Sequence, residues 1–352
     1  MAIAMSKAPG ATDMIGNSGA ADNVETPAFP RGGPKLDLMG AGGPRFLVTV
    51  DTEEEFDWGA PFSRDAHGLS HLASIPRFQA MCETRGVKPL YLVDYPIAAD
   101  PMGAELFGDL ARRDKAEIGL QLHPWVTPPF DEDVSSHNSY ACNLPEPLER
   151  AKLRALHDIV RERLATKPVA YRAGRYGIGA DTAEMLIELD IAFDTSVRSL
   201  FDYSAQGGPD FTSAALRPYW AMDHKLVELP LTSVFGGLLR PIGTAMFDRY
   251  FETPSMRALL ARSGLLERIA LTPEGIPASK AVQAIDVALK MKLPLLVFSF
   301  HSPSLAPGHT PYVRNNTDLE QFYSWWETVF AHLEKCGVTP VTVTQLRELA
   351  FG

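Results

Sequence analysis

The chain has 352 residues, 45% of them hydrophobic and 22% charged, which is the balance of an ordinary soluble globular protein with room for one large domain or two small ones. Its formal net charge of −10 is spread along the sequence without a basic block, so a nucleic-acid or anionic-lipid surface is not expected.

Residues 1 to 44 carry no hydrophobic periodicity and are rich in Gly, Ala, Pro, Asn and Asp, with Gly32-Gly33-Pro34 as punctuation. Such a stretch reads as a poorly ordered arm ahead of one domain over residues 45 to 352. The domain starts with a strand at Arg45 to Asp51, followed by a helix near Leu72 to Arg85 and a strand at Val87 to Asp94 stopped by Tyr95-Pro96. A helix over Ala104 to Arg113 leads to a third strand at Ala116 to His123. Leu153, Leu156, Ile159, Val160 and Leu164 then recur at helical spacing in Glu149 to Leu164. Short strands follow at Val169 to Arg172 and Ile191 to Asp194, with a helix near Asp181 to Leu189 between them. Leu226 to Leu229 is β-like and ends at Pro230. A helix at Ala278 to Met291, an apolar strand at Leu293 to His301, a helix at Leu319 to Leu333, a strand at Thr339 to Thr344 and a short terminal helix complete the pattern.

Apolar strands alternating with amphipathic helices make a parallel sheet buried on both faces, and seven or eight such units fit an α/β barrel better than an open sheet. No glycine-rich phosphate fingerprint follows the first strand. The longest irregular stretches, Thr52 to Ser70, Pro124 to Pro145, Arg198 to Ala214 and Ser302 to Thr317, all follow strand ends, where barrel loops shape a substrate pocket.

Cys82, Cys142 and Cys336 are far apart, odd in number and without a CxxC pair. They point to reduced thiols rather than a disulfide framework or a thiolate zinc site. No apolar run approaches the ~18 residues of a membrane span. Met1 to Met14 is neither basic nor followed by an apolar core, so the expected location is cytoplasmic.

The polar residues that end these strands are the candidates for chemistry. Asp51 and Glu53 flank Thr52, and strand alternation aims both carboxylates to one side, where they either repel or share a cation. The neighbouring Glu54, Glu55 and Asp57 read as a solvated acidic loop. Gln121 and His123 have the His-x-His spacing that turns two strand side chains toward one ion, although an amide is a poor zinc ligand. Arg172 and Arg175 bracket Ala173-Gly174, and a buried guanidinium there would orient a catalytic carboxylate. Asp194 ends the next strand, in reach of an imidazole or one of these arginines. His301 closes the most apolar strand and is placed to protonate a leaving amine.

In this order the motifs resemble the polysaccharide deacetylase superfamily, in the divergent branch whose first motif reads Thr-Val-Asp-Thr-Glu-Glu, here Thr49 to Glu54. The resemblance runs over about residues 45 to 345. It implies an irregular (β/α)7 barrel that removes acetyl groups from N-acetylated sugars with a divalent metal, often zinc. It further implies Asp51 as the base, Glu53 as a metal ligand with His123 and Gln121, and Arg172, or second Arg175, as the arginine orienting the base. Asp194 would tune the general acid, His301. The family's paired histidines of motif two are replaced here by Gln121 and Trp125. That departure keeps two other readings open. One is a metal-independent amidohydrolase acting on a small amide or ureide. The other is a catalytically inactive carbohydrate-binding barrel, with Trp58, Trp125, Phe130, Tyr140, Tyr176 and Tyr203 as stacking platforms.

Overall fold

The computed structural model describes residues 28–36, 38, 42–222, 224–243, 259–260 and 263–352. Eleven strands occur among them: β1 Arg45–Thr52, β2 Leu90–Val93, β3 Glu117–Leu122, β4 Tyr171–Ala173, β5 Phe193–Asp194, β6 Tyr219–Met222, β7 Leu226–Glu228, β8 Ser233–Gly236, β9 Glu267–Ala270, β10 Leu295–His301 and β11 Thr339–Pro340. The main sheet runs β10-β1-β2-β3-β4-β5-β7-β6, and every pair in it is parallel except β6 with β7.

Backbone hydrogen bonds carry that sheet round into a barrel of seven parallel strands. Beyond β7 the chain stays against β5's extension, with Leu229 N donating to Asp194 O (2.8 Å) and Leu231 N to Val197 O (2.9 Å). Its other side meets β10, where Thr232 N donates to Val297 O (3.2 Å) and Val297 N to Thr232 Oγ1 (2.9 Å). Leu271, just after β9, fills the widening seam, because Ser299 N donates to its carbonyl (3.2 Å). The expected irregular (β/α)7 barrel is therefore present, and its irregularity is this one seam.

Strand alternation decides what faces the barrel interior. Phe46, Val48 and Val50 of β1 turn outward to the helices, whereas Leu47 packs in the inner apolar cluster with Leu90, Leu92, Leu295 and Val297. Along each strand the inner face changes from apolar to polar in the chain direction: Leu47, Thr49, Asp51 on β1; Leu295, Val297, Ser299, His301 on β10; Ala170 then Arg172 at β4. One end of the barrel is thus an apolar plug and the C-terminal end of the strands a polar rim. The terminal helix Val343–Phe351 seals the apolar end with Val343 and Leu346, and Glu117 Oε1 accepts from Thr344 N (2.8 Å) at its positive N-terminus.

Outside the barrel, the helix Asn316–Lys335 lays Trp326 against Phe298 and Phe300, with ring centroids 5.8 and 5.7 Å apart. The helices Ile75–Thr84, Pro101–Arg112, Glu146–Arg163, Ala180–Glu188 and Ala278–Lys290 bury their apolar faces in the same outer layer.

Three expectations change. Residues 28–36 are not a loose arm: Lys35 bridges Tyr219 of β6, Trp220 N donates to Pro34 O (3.1 Å), and Phe29 is buried. The reason is the unpaired edge of β6, which offers main-chain partners that a propensity reading does not see. Residues 1–27 lie outside the described residues. The last strand is only Thr339–Pro340, because Thr342 caps the terminal helix by accepting from Gln345 N (3.1 Å). The antiparallel pair of β8 and β9, absent from the sequence reading, adds a second two-stranded sheet.

Candidate active site

The polar rim opens into a cleft of about 490 Å3 lined by Asp51, Glu53, Gln121, His123, Arg172, Arg175 and His301 among others. At its floor Arg172 is fully buried and binds Asp51 Oδ1 through Nη1. The rest of the guanidinium is held by Thr49 Oγ1 (2.9 Å), Thr195 Oγ1 (3.1 Å) and Thr195 O (2.9 Å). An arginine so fixed on two faces holds Asp51 in a single orientation, with Oδ2 left toward His301 Nε2 at 3.8 Å.

His301 ends β10, and its side chain is one-fifth exposed, into the cleft. Its Nδ1 lies 2.7 Å from Glu274 Oε2, and its backbone N donates to Glu274 Oε1 (3.1 Å). Burial alone would depress the imidazolium, but the charge of Glu274 beside it, then that of Glu53, pushes it up to about 10. The Nδ1 contact leaves Nε2–H as the proton aimed at the cleft. The expected partner, Asp194, is elsewhere. Its carboxylate accepts from Ser196 Oγ (2.6 Å) and Ser196 N (3.0 Å) and faces Glu228. Burial pushes both acids above the usual carboxylate range. Asp194 shapes the turn that presents Thr195 to Arg172, because β5 ends one strand away from β10's side of the rim.

Arg175 also departs from its expected role. It follows Gly174 in a left-handed conformation (φ 54°) that turns it away from Asp51. Its Nη2 donates to Gln206 Oε1 (2.7 Å) and its Nη1 to Ser139 Oγ (2.5 Å), with the guanidinium 4.0 Å over the Tyr140 ring. It is a wall of the cleft and ties two rim loops together.

On the opposite side, Glu53, Gln121 and His123 meet. Gln121 Nε2 donates to Glu53 Oε2 (3.0 Å) and stands 3.3 Å from His123 Nε2, while Glu53 Oε2 and His123 Nε2 are 3.4 Å apart. Burial pushes Glu53 up to about 8, partly offset by His301 and then His123. Glu54 and Glu55 are not a solvated loop. Glu54 is wholly buried, accepting from Trp125 Nε1 (2.8 Å) and contacting His123 Nδ1 (2.9 Å). Glu55 holds His71 by Nδ1 (3.0 Å), and His71 Nε2 meets Ser302 Oγ (2.8 Å). Ser302 Oγ in turn accepts from Glu53 N (3.3 Å), so this buried chain anchors the first rim loop. The acidic run folds inward because the chain turns across the barrel mouth immediately after β1, a reversal that no local pattern announces.

Two observations test whether this corner suits a divalent metal. Glu53 Oε1 and Gln121 Oε1 are buried without any hydrogen-bond partner, and His123 has its Nδ1 on a carboxylate, which leaves Nε2 as a lone pair facing Glu53. Glu53 and His123 Nε2 therefore fit a cation, and Gln121 joins them as a weak ligand once its amide is turned so that Oε1 replaces Nε2 beside them. A second group, Glu54, Asp94 and His123, brings three ligand atoms within 4.8 Å of one another. Its carboxylates are already engaged, since Asp94 Oδ1 caps Ile97 N (2.9 Å) and Asp94 Oδ2 accepts from Glu54 N (2.8 Å). Burial, then the charge of Glu54, holds Asp94 well above the usual carboxylate range, and burial raises Glu54 as well.

Aromatic side chains line the upper cleft. Trp58 meets His301 edge-on at 5.1 Å and Tyr312 at 5.9 Å, and Tyr176 stacks on Tyr203 at 5.5 Å. Trp125 stacks on His123 at 4.3 Å. Phe130 is not part of this lining and lies instead under Arg64 at 5.0 Å.

Sequence reasoning did not find Glu274, Glu54, Asp94, Arg198 or Tyr312 as cleft or support residues. Glu274 had a usable signal, since Thr272-Pro273-Glu274-Gly275 follows the apolar Ile269-Ala270-Leu271 as the other rim segments follow their strands.

No family model matches the sequence, and no curated protein matches it. Among solved structures, the chain is similar to a provisionally assigned polysaccharide deacetylase from Mycobacterium smegmatis (18% identity, TM-score 0.44), over 90% of this chain and 97% of that one. It is similar to the Xyl-CE4 domain of a multidomain xylanase from the hindgut metagenome of Trinervitermes trinervoides (9% identity, TM-score 0.41, 87% and 90% covered). A 4-alpha-glucanotransferase from Thermococcus litoralis is also similar (13% identity, TM-score 0.49), over 87% of this chain and 40% of that one. At such distances the chemistry has to be read from the site itself.

Proposed function

We propose that the cleft hydrolyses a carbon–nitrogen amide bond, and that the substrate is an N-acetylated sugar or sugar precursor. The observation that carries this reading is one carboxylate and one imidazolium facing each other across 3.8 Å, each locked from behind by its own partner: Asp51 by Arg172 and His301 by Glu274. Asp51, oriented by Arg172, takes a proton from a water that attacks the amide carbonyl carbon. The carbon–nitrogen bond then breaks, and His301 Nε2 delivers its proton to the departing amine, giving acetate and a free amine. An imidazole held protonated up to about 10 is an acid rather than a base near neutrality, which supports this division of labour. The oxyanion would meet backbone donors near Tyr176, which lines the cleft.

Glu53, His123 Nε2 and the Gln121 amide oxygen would hold a divalent metal such as zinc, which when bound supplies Lewis acidity and a more acidic water. The metal-independent reading is favoured by one specific observation: the Gln121 amide nitrogen is already within 3.3 Å of both Glu53 and His123. In that case Asp51, His301 and their partners carry the same proton transfers on a small amide. The aromatic walls provide the stacking faces that a sugar ring uses. A cytoplasmic location would make the substrate a soluble or nucleotide-linked precursor rather than mature cell wall, and recovery of the protein outside the cytoplasm would remove that refinement.

Purified protein should release acetate from N-acetylated glycans or their monosaccharides, with and without added zinc, and Asp51→Asn and His301→Ala should each lose it. Absence of release from the whole panel by the parent, or release undiminished in both variants, would end the hydrolase reading.

A further inference from the structure

The acids nearest the reaction centre already have their partners. Asp51 is matched by Arg172, Glu274 by His301, and Glu53 lies against His123 and Gln121. Two guanidinia remain. Arg175 is bonded only to neutral oxygens, at Gln206, Ser136 and Ser139. Arg198 donates to Tyr203 OH (3.1 Å), lies 4.0 Å from the Phe201 ring centroid, and has its Nε buried with no partner at all. Among the described residues neither has a carboxylate within 4.0 Å, whereas ten of the nineteen described arginines do. Asp57, at the mouth, turns its carboxylate to Gly59 N (2.8 Å).

Arg198 lines both the main cleft and the small recess beside it that also contains His301. A half-buried guanidinium that faces a cavity, with an orphaned N–H and no acid, leaves part of its hydrogen-bonding capacity unused. Its ring contacts do not supply that bond, because cation–π attraction acts on the face and the N–H points in the plane. A planar fork with free edge donors suits a carboxylate or phosphate.

We infer that the preferred substrate carries a compact anion in addition to its amide, and that Arg198, with Arg175 on the neighbouring wall, binds that anion while Asp51 and His301 address the amide. The inference rests on the hydrolase reading for the second half of that statement only. Neutral N-acetyl sugars would then be the poorer ligands, for lack of a group to satisfy the two cations.

The test uses the intact chain and three soluble probes: N-acetylglucosamine, N-acetylmuramic acid, which adds a carboxylate, and N-acetylglucosamine 6-phosphate. NMR titration at low salt reads affinity, and the acetate methyl signal in the same tube reads hydrolysis. At least one anionic probe should bind about tenfold or more tighter than the neutral sugar, roughly one bidentate charge-assisted contact. Which one wins identifies the anion. The gap should close in Arg198→Gln and narrow in Arg175→Gln, and Arg198→Lys should retain part of it, each variant melting like the parent. Equal affinities for all three probes in the parent would overturn the inference. So would an anion preference that survives in a folded Arg198→Gln, Arg175→Gln double variant. Anion preference without acetate release removes the hydrolase reading and leaves this one standing, whereas acetate from the neutral sugar with no anion preference does the reverse.

Discussion

Glu274→Gln isolates the feature that keeps His301 protonated, as the proposed general acid must be. The carboxylate lies 2.7 Å from His301 Nδ1 and is the largest influence raising the imidazolium, which stands near 10 against an ordinary value of 6.5. Glutamine keeps the size and an oxygen that can still accept from Nδ1, from the His301 backbone N and from Ser304 Oγ, so orientation survives while the charge goes. Burial, the largest single influence, acts downward and is then less opposed, so His301 should titrate lower, back toward its ordinary value near 6.5. The consequence depends on pH. At pH 5.5 both proteins hold most of His301 protonated, and kcat should differ little. At pH 8.5 an imidazole of pKa about 10 is nearly all protonated, whereas one near 6.5 is about 1% protonated, so kcat should fall by roughly a hundredfold. The assay is acetate release across pH 5 to 10, with ring-proton NMR titration of His301 as an independent readout. Alkaline limbs that superimpose in parent and variant would refute the argument that Glu274 sets the acid. Stability has the same sign. A group bound more tightly to its proton in the folded state contributes fully below the unfolded pKa and loses that contribution as pH rises, here between about 6.5 and 10.

Three further outcomes follow from the geometry. Gln121→His replaces the weak amide donor by imidazole on the strand that already presents His123, so zinc affinity measured by calorimetry should rise at least tenfold; no change would mean that Glu53 and His123 do not form a cation site. Arg172→Met removes the counter-charge of a fully buried Asp51 and should cost about 3–5 kcal/mol in denaturant unfolding at neutral pH, with recovery in the double variant Asp51→Asn, Arg172→Met. A cost below 1 kcal/mol would show that Asp51 is solvated. Trp326→Ala empties the outer layer between the helix Asn316–Lys335 and β10, and should lower stability by about 3–5 kcal/mol without changing the pH profile of catalysis.

The order of strands and helices was readable in the chain because hydrophobic periodicity is local, and so was the set of residues at the rim. Asp51, Glu53, Gln121, His123, Arg172 and His301 each end an apolar run, and a parallel barrel has only one place to put such residues. What alternation along single strands could not supply was the pairing between segments distant in sequence. Asp194 and Glu274 are both acids that follow strands, and only the strand order puts the second beside His301 and the first against Glu228. Arg175 had the right residue type at the right place, yet a positive φ at that one position sends it to Ser139 and Gln206. Glu54 looked like surface because its neighbours are charged, and it is buried because His123 and Trp125 arrive from β3 to satisfy it. Local chemistry thus determined which residues were available for the proposed chemistry. The closure of the barrel, which fixes distances of a few ångströms between chain segments tens to hundreds of residues apart, decided which of them act on one another.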